Sequence, residues 1–158
     1  MPELGEFMVV RTGGWVGAAI RAITRRPVNH AALYVGSGLV VEAQPGGAKL
    51  TRVSHYPKAI WSHQTLSAPT RAAIVHAALA LVGTPYNFLD IAAQGLVRVL
   101  HWDAPKWALK RLSSTHALQC AQLVDCAYEL AGVKLFADGR PEGMVSPGDL
   151  YDLIEAEK

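Results

Sequence analysis

Cysteine is scarce in this chain of 158 residues, which contains only Cys120 and Cys126. Both lie in "LQCAQLVDC", a run that otherwise reads as a helix. Six helical residues rise about 9 Å along the axis, beyond the roughly 7 Å that a disulfide tolerates between Cα atoms. A zinc site would need further cysteine or histidine ligands at short spacing, and the six histidines do not supply them. The spacing therefore excludes a disulfide within the helix and leaves a metal site unsupported.

Strong net charge and long apolar runs are also missing. The formal charge of +2 is too small to indicate a nucleic-acid partner, because a duplex-binding surface needs a clustered basic face. The longest apolar stretches, such as "FLDIAAQGLVRVL", are interrupted by Asp90 and Arg98 and are shorter than the roughly 20 residues of a membrane span. The N-terminal "MPELGEFMVVRTGGW" has acidic residues where a secretory signal has basic ones. We therefore expect a soluble protein without a signal peptide or transmembrane segment, either cytoplasmic or delivered by a phage.

The chain does have the apolar content of a globular domain, since 51% of its residues are hydrophobic and 18% are charged. We interpret residues 1–158 as a single domain. Strands are predicted in "EFMVVR", "HAALYV", "LVVEA" and "KLTRV", with "AIWSHQTL" as a further candidate. Helices are predicted in "WVGAAIRAITRR", over 67–83, in "NFLDIAAQGLVRVLH", from about 118 to Gly132 and in "SPGDLYDLI". This order indicates an α+β fold, a small antiparallel sheet with helices packed on one side.

Helical spacing of apolar residues predicts which faces are buried, and cap residues predict where helices begin. Ser67 and Ser146 are the predicted caps, followed by Pro69 and Pro147 in the first turns. The predicted stripe of the first helix consists of Trp15, Val16, Ala19, Ile20 and Ile23. That of the helix from about 118 consists of Leu123, Val124, Ala127, Leu130 and Ala131.

Cys120 and Cys126 occupy different positions along their predicted helix. Cys120 falls at or near the first turn, after the polar stretch "SSTHALQ", whereas Cys126 lies in the middle. A helix N-terminus stabilises a thiolate through its dipole and its unpaired amide groups, so Cys120 is the candidate nucleophile. The alternative is that both are small buried residues, since free cysteine is among the most buried residue types. We assign Cys126 to packing.

A base for this nucleophile is predicted on the hairpin. His30 opens one strand, and Glu42 lies on the partner strand beyond the "GSG" turn. With the turn centred on Ser37, Glu42 faces about position 32, so His30 and Glu42 should be diagonal neighbours on one face. A carboxylate beside an imidazole fixes its tautomer and supports the imidazolium, although a surface histidine and a solvent-facing glutamate would fit the same pattern. His116 is a competing base without an evident carboxylate partner. The remaining histidines are assigned to the surface or the core: His55, His63, His76 and His101.

Four segments resemble one known family: "VNHAALYVGSGLVVEA", "LVGTPYNF", "CAQLVDCAYELAG" and "SPGDLY". They look like the circularly permuted branch of the NlpC-type, papain-like cysteine hydrolases, which includes the YiiX-like amidases and, more distantly, the lecithin retinol acyltransferase group. In that branch the histidine strand precedes the cysteine helix, as here, and the likeness spans residues 5 to about 151. The resemblance implies a permuted papain-like fold. It makes Cys120 the nucleophile, His30 the general base and Glu42 the residue that orients the histidine.

Two further positions take their meaning from the same resemblance. Tyr86, in "GTPYNF", matches a family tyrosine that lines the pocket and is a candidate oxyanion donor. Ala121 stands where the family often has serine, a departure that leaves the chemistry intact but puts any role of that side chain in doubt. The backbone N–H of Cys120 is the other expected oxyanion donor.

The implied activity is cleavage of an amide bond through a thioester intermediate, with peptidoglycan stem peptides as the first substrate class and no cofactor. One alternative is a lipid amidase or acyltransferase, for which the amphipathic, tryptophan-containing segment 101–112 would contact a lipid surface. Another is a binding module that has kept the fold without activity. The expected partner is thus an amide-containing substrate, and nucleic acid is not expected.

Overall fold

The described part of the chain comprises residues 2–44, 46–83, 116–138 and 145–157 of a computed structural model. Its strands are β1 (Phe7–Val10), β2 (His30–Gly36), β3 (Leu39–Gln44), β4 (Gly47–Arg52) and β5 (Ile60–Trp61). Its helices are α1 (Trp15–Thr24), α2 (Ala68–Ala80), α3 (His116–Leu130) and α4 (Pro147–Ala156), and a 3-10 turn spans Val53–His55. The helix predicted in "NFLDIAAQGLVRVLH" lies outside the described residues. Within them, no helix has the length and apolarity needed to cross a membrane.

The five strands form one antiparallel sheet in the order β4-β3-β2-β1-β5, so the predicted α+β class is confirmed. The β2–β3 hairpin turns where predicted, because Gly36, Ser37 and Gly38 all have positive φ. Leu33 pairs with Val41, and continuing this register by one residue places position 32 opposite Glu42, as expected. The last strand is much shorter than "AIWSHQTL".

The two faces of the sheet are buried against different partners, because side chains alternate along each strand. One face packs against α2, α3 and α4 and forms the helix-side core; its strand residues include Phe7, Val9, Ala31, Leu33 and Val41. The other face carries a smaller group, which we call the outer cluster. It consists of Met8, Val10, Ala32 and Val40, with Tyr34, Val53, Tyr56, Ala59 and Trp61 packed against them.

Helix α1 buries Ile20 of the predicted stripe but not Trp15, and the side chains of Val16, Ala19 and Ile23 lie outside the described part of the chain. Trp15 is 83% exposed, whereas Gly17 and Ile20 are buried. A side chain added at Gly17 would lie 2.8 Å from the side-chain nitrogen of Asn29, so the helix backbone approaches the chain closely at this residue. Residues two apart on a helix point to opposite sides, and burial of Gly17 therefore turns Trp15 outward.

Helix caps agree with the sequence more closely than helix ends do. Ser67 accepts a bond from the backbone N–H of Thr70, and Ser146 forms a capping box with Asp149, as predicted. Helix α2 ends at Ala80, before the predicted Gly83.

Helix α3 supplies the largest helical contribution to the helix-side core and lies against β2 and β3. Leu123, Val124 and Ala127 are buried as predicted. Leu130 is 65% exposed instead, because it is the last helical residue, where the chain turns away through Gly132 with φ 79°.

Candidate active site

The predicted pairing of His30 with Glu42 is confirmed. The Nε2 atom of His30 lies 2.6 Å from Oε2 of Glu42. Glu42 is fully buried and His30 is 9% exposed, so neither is the solvent-facing residue of the alternative interpretation. Because Oε2 can only accept, His30 donates the proton in this bond and the carboxylate fixes the orientation of the imidazole.

Asn29 secures the chain just before His30, and the sequence pattern did not reveal this role. Its Oδ1 accepts from the backbone N–H of Thr12 at 3.0 Å and from the Arg21 guanidinium at 2.9 Å. Its Nδ2 donates to the Thr12 hydroxyl at 2.6 Å. The residue is buried, and its own N–H bonds to the Val10 carbonyl. These contacts tie the start of β2 to the end of β1 and to α1, which fixes the backbone from which His30 projects.

Three further donors converge on the Glu42 carboxylate, and sequence reasoning missed all three. Tyr56 donates its hydroxyl proton to Oε2, and Thr51 donates to Oε1. The Gln44 amide also donates to Oε1, at 2.6 Å. Together with His30, the described residues therefore supply four donors to the carboxylate, two on each oxygen. Thr51 was detectable in principle, since it lies in β4 opposite Val40, on the face that Glu42 shares.

This environment keeps Glu42 ionised. Burial alone would raise the pKa of the carboxyl, but hydrogen bonds from His30, Thr51 and Tyr56 together with the histidine charge lower it to about 2. Burial and the Glu42 carboxylate raise the pKa of Tyr56 above its usual value, so its phenol remains a proton donor. The Tyr56 ring also contacts the His30 ring, with centroids 5.6 Å apart and planes inclined by 42°.

Cys120 approaches the histidine from the helix-side core. Its Sγ accepts a hydrogen bond from the backbone N–H of Ala31 at 3.3 Å. The Cys120 side chain is also an electrostatic and hydrogen-bonding neighbour of the His30 side chain and contributes to the raised pKa of that imidazole. The His30 side chain thus has both the Glu42 carboxylate and the Cys120 sulfur as neighbours.

The charge on His30 is set by these two neighbours. Burial would lower the pKa of the imidazole, but the charge of Cys120, hydrogen bonds to Cys120 and Glu42, and the charge of Glu42 outweigh it and raise the pKa to about 10. A pKa raised this far keeps the ring an imidazolium at neutral pH, bonded to the Glu42 carboxylate and with the Cys120 side chain as its neighbour. This is the charge state in which a histidine can protonate a leaving group.

The site forms at the beginning of β2, where residues from both faces of the sheet lie close together. His30 and Glu42 occupy register positions that alternate with Ala31 and Val41 of the helix-side core. Cys120 itself belongs to that core. Because His30 is the first residue of its strand, its ring can meet a residue that packs on the other face.

The position of Cys120 in its helix corrects one prediction. Helix α3 extends back at least to His116, so Cys120 lies a full turn inside it rather than at its start. In an α-helix the N–H of residue 120 is directed to the carbonyl four residues earlier, which removes it as a free oxyanion donor. The dipole effect also falls off beyond the first turn, so His30 is the principal positive charge beside the sulfur.

Some of the remaining predicted residues belong to the described part of the chain, and others lie outside it. Neither cysteine is in a disulfide, and Cys126 is partly exposed while Cys120 is fully buried. His55, His63 and His76 are exposed, in agreement with their assignment. Tyr86, His101 and the segment 101–112 lie outside the described residues, as does the side chain of His116. Ala121 is buried.

Comparison with known proteins adds no relative from which function could be transferred. No protein-family model matches the chain, and no curated protein matches it with significance.

Proposed function

We propose that the protein is a cysteine hydrolase that cleaves amide bonds with Cys120, His30 and Glu42. The Cys120 thiolate attacks the substrate carbonyl, and the carbon–nitrogen bond breaks as the His30 imidazolium gives its proton to the leaving amine. The acyl group is then held on Cys120 as a thioester. Neutral His30 takes a proton from water, the hydroxide displaces the thiolate, and a carboxylic acid leaves. Glu42 stays ionised and stabilises the imidazolium throughout.

One observation carries this proposal: the His30 ring bonds the buried Glu42 carboxylate through Nε2 at 2.6 Å and also has the Cys120 side chain as a hydrogen-bonding neighbour. A histidine held only for packing would need one partner at most. A histidine with a buried carboxylate bonded to it and a thiol as its neighbour matches the arrangement that a nucleophile requires.

The permuted papain-like fold and the substrate class belong to the same proposal. They are supported by the order of the elements, since the histidine strand β2 precedes the cysteine helix α3, and by the segments that resemble the NlpC-type hydrolases. Peptidoglycan stem peptides are the substrate class that this resemblance favours.

The two cysteines provide the test of nucleophilic function within one molecule. Exposure alone predicts that iodoacetamide labels Cys126 first, because Cys120 is fully buried. The proposed function predicts the reverse at pH 6–7, since a cysteine activated by a neighbouring histidine reacts faster than an ordinary cysteine. The adduct is located by mass spectrometry after limited labelling of the native protein. Faster labelling of Cys126, or equal rates in native and urea-unfolded protein, would remove Cys120 as the nucleophile.

The substrate class is tested with defined amides. The protein is incubated with peptidoglycan fragments that carry stem peptides and, separately, with N-acyl lipids, and released amines are quantified. We expect release from the fragments, and none from a Cys120→Ser variant. Release from the lipids alone would replace the stem peptide by a lipid amide as the substrate.

A further inference from the structure

The two oxygens of the Glu42 carboxylate have different neighbours. Oε1 accepts from Thr51 and Gln44, which leaves it unconnected to the histidine. Oε2 accepts from His30 and from the Tyr56 hydroxyl. Tyr56 is therefore the donor that shares an oxygen with His30, and removal of its hydroxyl acts directly on the bond that orients the imidazole.

Tyr56 contacts both members of the pair. Its hydroxyl bonds Glu42, and its ring lies 5.6 Å from that of His30, inclined by 42°. Its backbone is held by two hydrogen bonds, from its own N–H to the Val53 carbonyl at 2.8 Å and from the N–H of Ala59 to its carbonyl at 3.1 Å. Its ring also packs against the outer cluster. This is the packing expected of a rigid support rather than of a mobile surface tyrosine.

The proton between Glu42 and His30 has two alternative positions. Donors to a carboxylate favour its ionised form, and the loss of one donor at a buried carboxylate raises its pKa. When Glu42 holds this proton, His30 is left as a neutral imidazole and places no positive charge beside Cys120. The Tyr56 hydroxyl thus influences the charge of His30 through their shared partner, Oε2 of Glu42.

We propose that Tyr56 is a positioning residue of this site: its hydroxyl holds the Glu42 oxygen that bonds His30, and its ring keeps His30 directed at Cys120. The inference rests on the proposed function for its catalytic meaning, although the contacts it invokes can be measured without a substrate. Tyr56 acts through Glu42 and His30 and is distinct from an oxyanion donor, because its hydroxyl proton is used by Glu42.

The test is Tyr56→Phe with Tyr34→Phe as the matched control. Tyr34 packs against the same outer cluster, and its hydroxyl contacts only the backbone N–H of Gly38 at 3.4 Å among the bonds described. We expect Y56F to slow iodoacetamide labelling of Cys120 about 10- to 100-fold at pH 7, the range for losing a hydrogen bond to a charged group. The Glu42 carboxyl, followed by carbon-13 NMR, should titrate at least about one unit higher. Y34F should leave both quantities at the wild-type values.

Equal carboxyl titration in Y56F, Y34F and wild type would overturn the positioning role. This outcome differs from failure of the proposed function, in which Cys120 labels slowly in the wild type while Y56F still moves the Glu42 titration. If Y56F does not fold, the positioning role is tested by an NMR titration of the wild-type protein instead. The Tyr56 ring carbon that bears the hydroxyl should then show an inflection at the pH where His30 loses its proton, and a flat profile would overturn the role.

Discussion

The described residues contain two histidine–carboxylate pairs that differ in distance, burial and surroundings. His30 and Glu42 are both buried, with Nε2 and Oε2 2.6 Å apart. His63 and Glu6 lie 3.7 Å apart between Nδ1 and Oε1, and the His63 side chain is 81% exposed although Glu6 is buried. A histidine near an acid is thus a common arrangement. The first pair is distinguished by burial of both groups and by the Cys120 sulfur as a neighbour of the ring.

Removing each histidine in turn gives the largest expected difference between the pairs. His30→Ala deletes the charge beside Cys120, and we expect iodoacetamide labelling of Cys120 to fall about 100-fold or more at pH 7. His63→Ala is the matched control, since His63 is exposed and has no contact with Cys120 among the interactions described. Labelling rates are measured by mass spectrometry at fixed reagent concentration. Similar rates in H30A and H63A would refute the assignment of His30.

Replacing each acid by its amide should separate the pairs by stability. Glu42→Gln leaves the Thr51, Tyr56 and His30 donors facing an amide that cannot accept them all, inside a fully buried site. We expect a loss of about 3 kcal/mol of unfolding free energy, the range for breaking a buried ion pair. Glu6→Gln should lose about 1 kcal/mol, because its described bonds are one from a backbone N–H and a long contact to an exposed histidine. Urea unfolding of the two variants measures both values.

Of the two pairs, we expect only His30 and Glu42 to make the unfolding free energy depend on pH. The pKa of His30 is raised to about 10, so its contribution is full below its usual value of 6.5 and is lost as pH rises through about 10. The pKa of Glu42 is lowered to about 2, so its contribution is full above its usual value of 4.5 and is lost as pH falls through about 2. Both contributions are complete between pH 4.5 and 6.5.

Urea titrations between pH 3 and 10 test this profile. H30A should flatten the alkaline limb and E42Q the acid limb, whereas H63A should follow the wild type. A wild-type stability that does not decline between pH 7 and 10 would contradict an imidazolium at His30.

The sequence predicted the pair and missed its surroundings, for physical reasons. The "GSG" turn fixes the hairpin register, and a fixed register determines which side chains of adjacent strands meet. Thr51 lies on β4 and could be found only from the pairing of β4 with β3. Tyr56 follows the 3-10 turn after β4, and no local pattern specifies the direction of that turn. The polar stretch "SSTHALQ" predicts a start of α3 at about residue 118, but residues 116–119 already belong to the helix. Trp15 was assigned to a buried stripe by periodicity, whereas close approach at Gly17 decides which side of α1 faces inward.

The two pairs also differ in the hydrogen bonds that hold the backbone at each histidine, and here we expect the smallest effects. The chain before His30 is held by partly buried hydrogen bonds that join the Asn29 side chain with Thr12 and Arg21. The backbone N–H of His63 bonds instead to the exposed carboxylate of Glu157 at 3.2 Å. We expect Asn29→Ala to slow labelling of Cys120 by about 3- to 10-fold, since a typical hydrogen bond contributes about 1 kcal/mol. Glu157→Gln should leave the labelling rate unchanged.

Gly17→Ala separates the geometric part of this effect from lost hydrogen bonds. The added methyl group would meet the Asn29 amide at 2.8 Å and displace it, while every hydrogen-bonding group of the network remains present. Alanine favours the helix by up to about 1 kcal/mol over glycine, which offsets part of the strain in a measurement of stability. A slower Cys120 labelling rate at nearly unchanged unfolding free energy would therefore show that the position of His30, rather than the stability of the fold, limits the sulfur. An unchanged rate would mean that the start of β2 tolerates displacement, and that Glu42 and Tyr56 alone hold the imidazole in place.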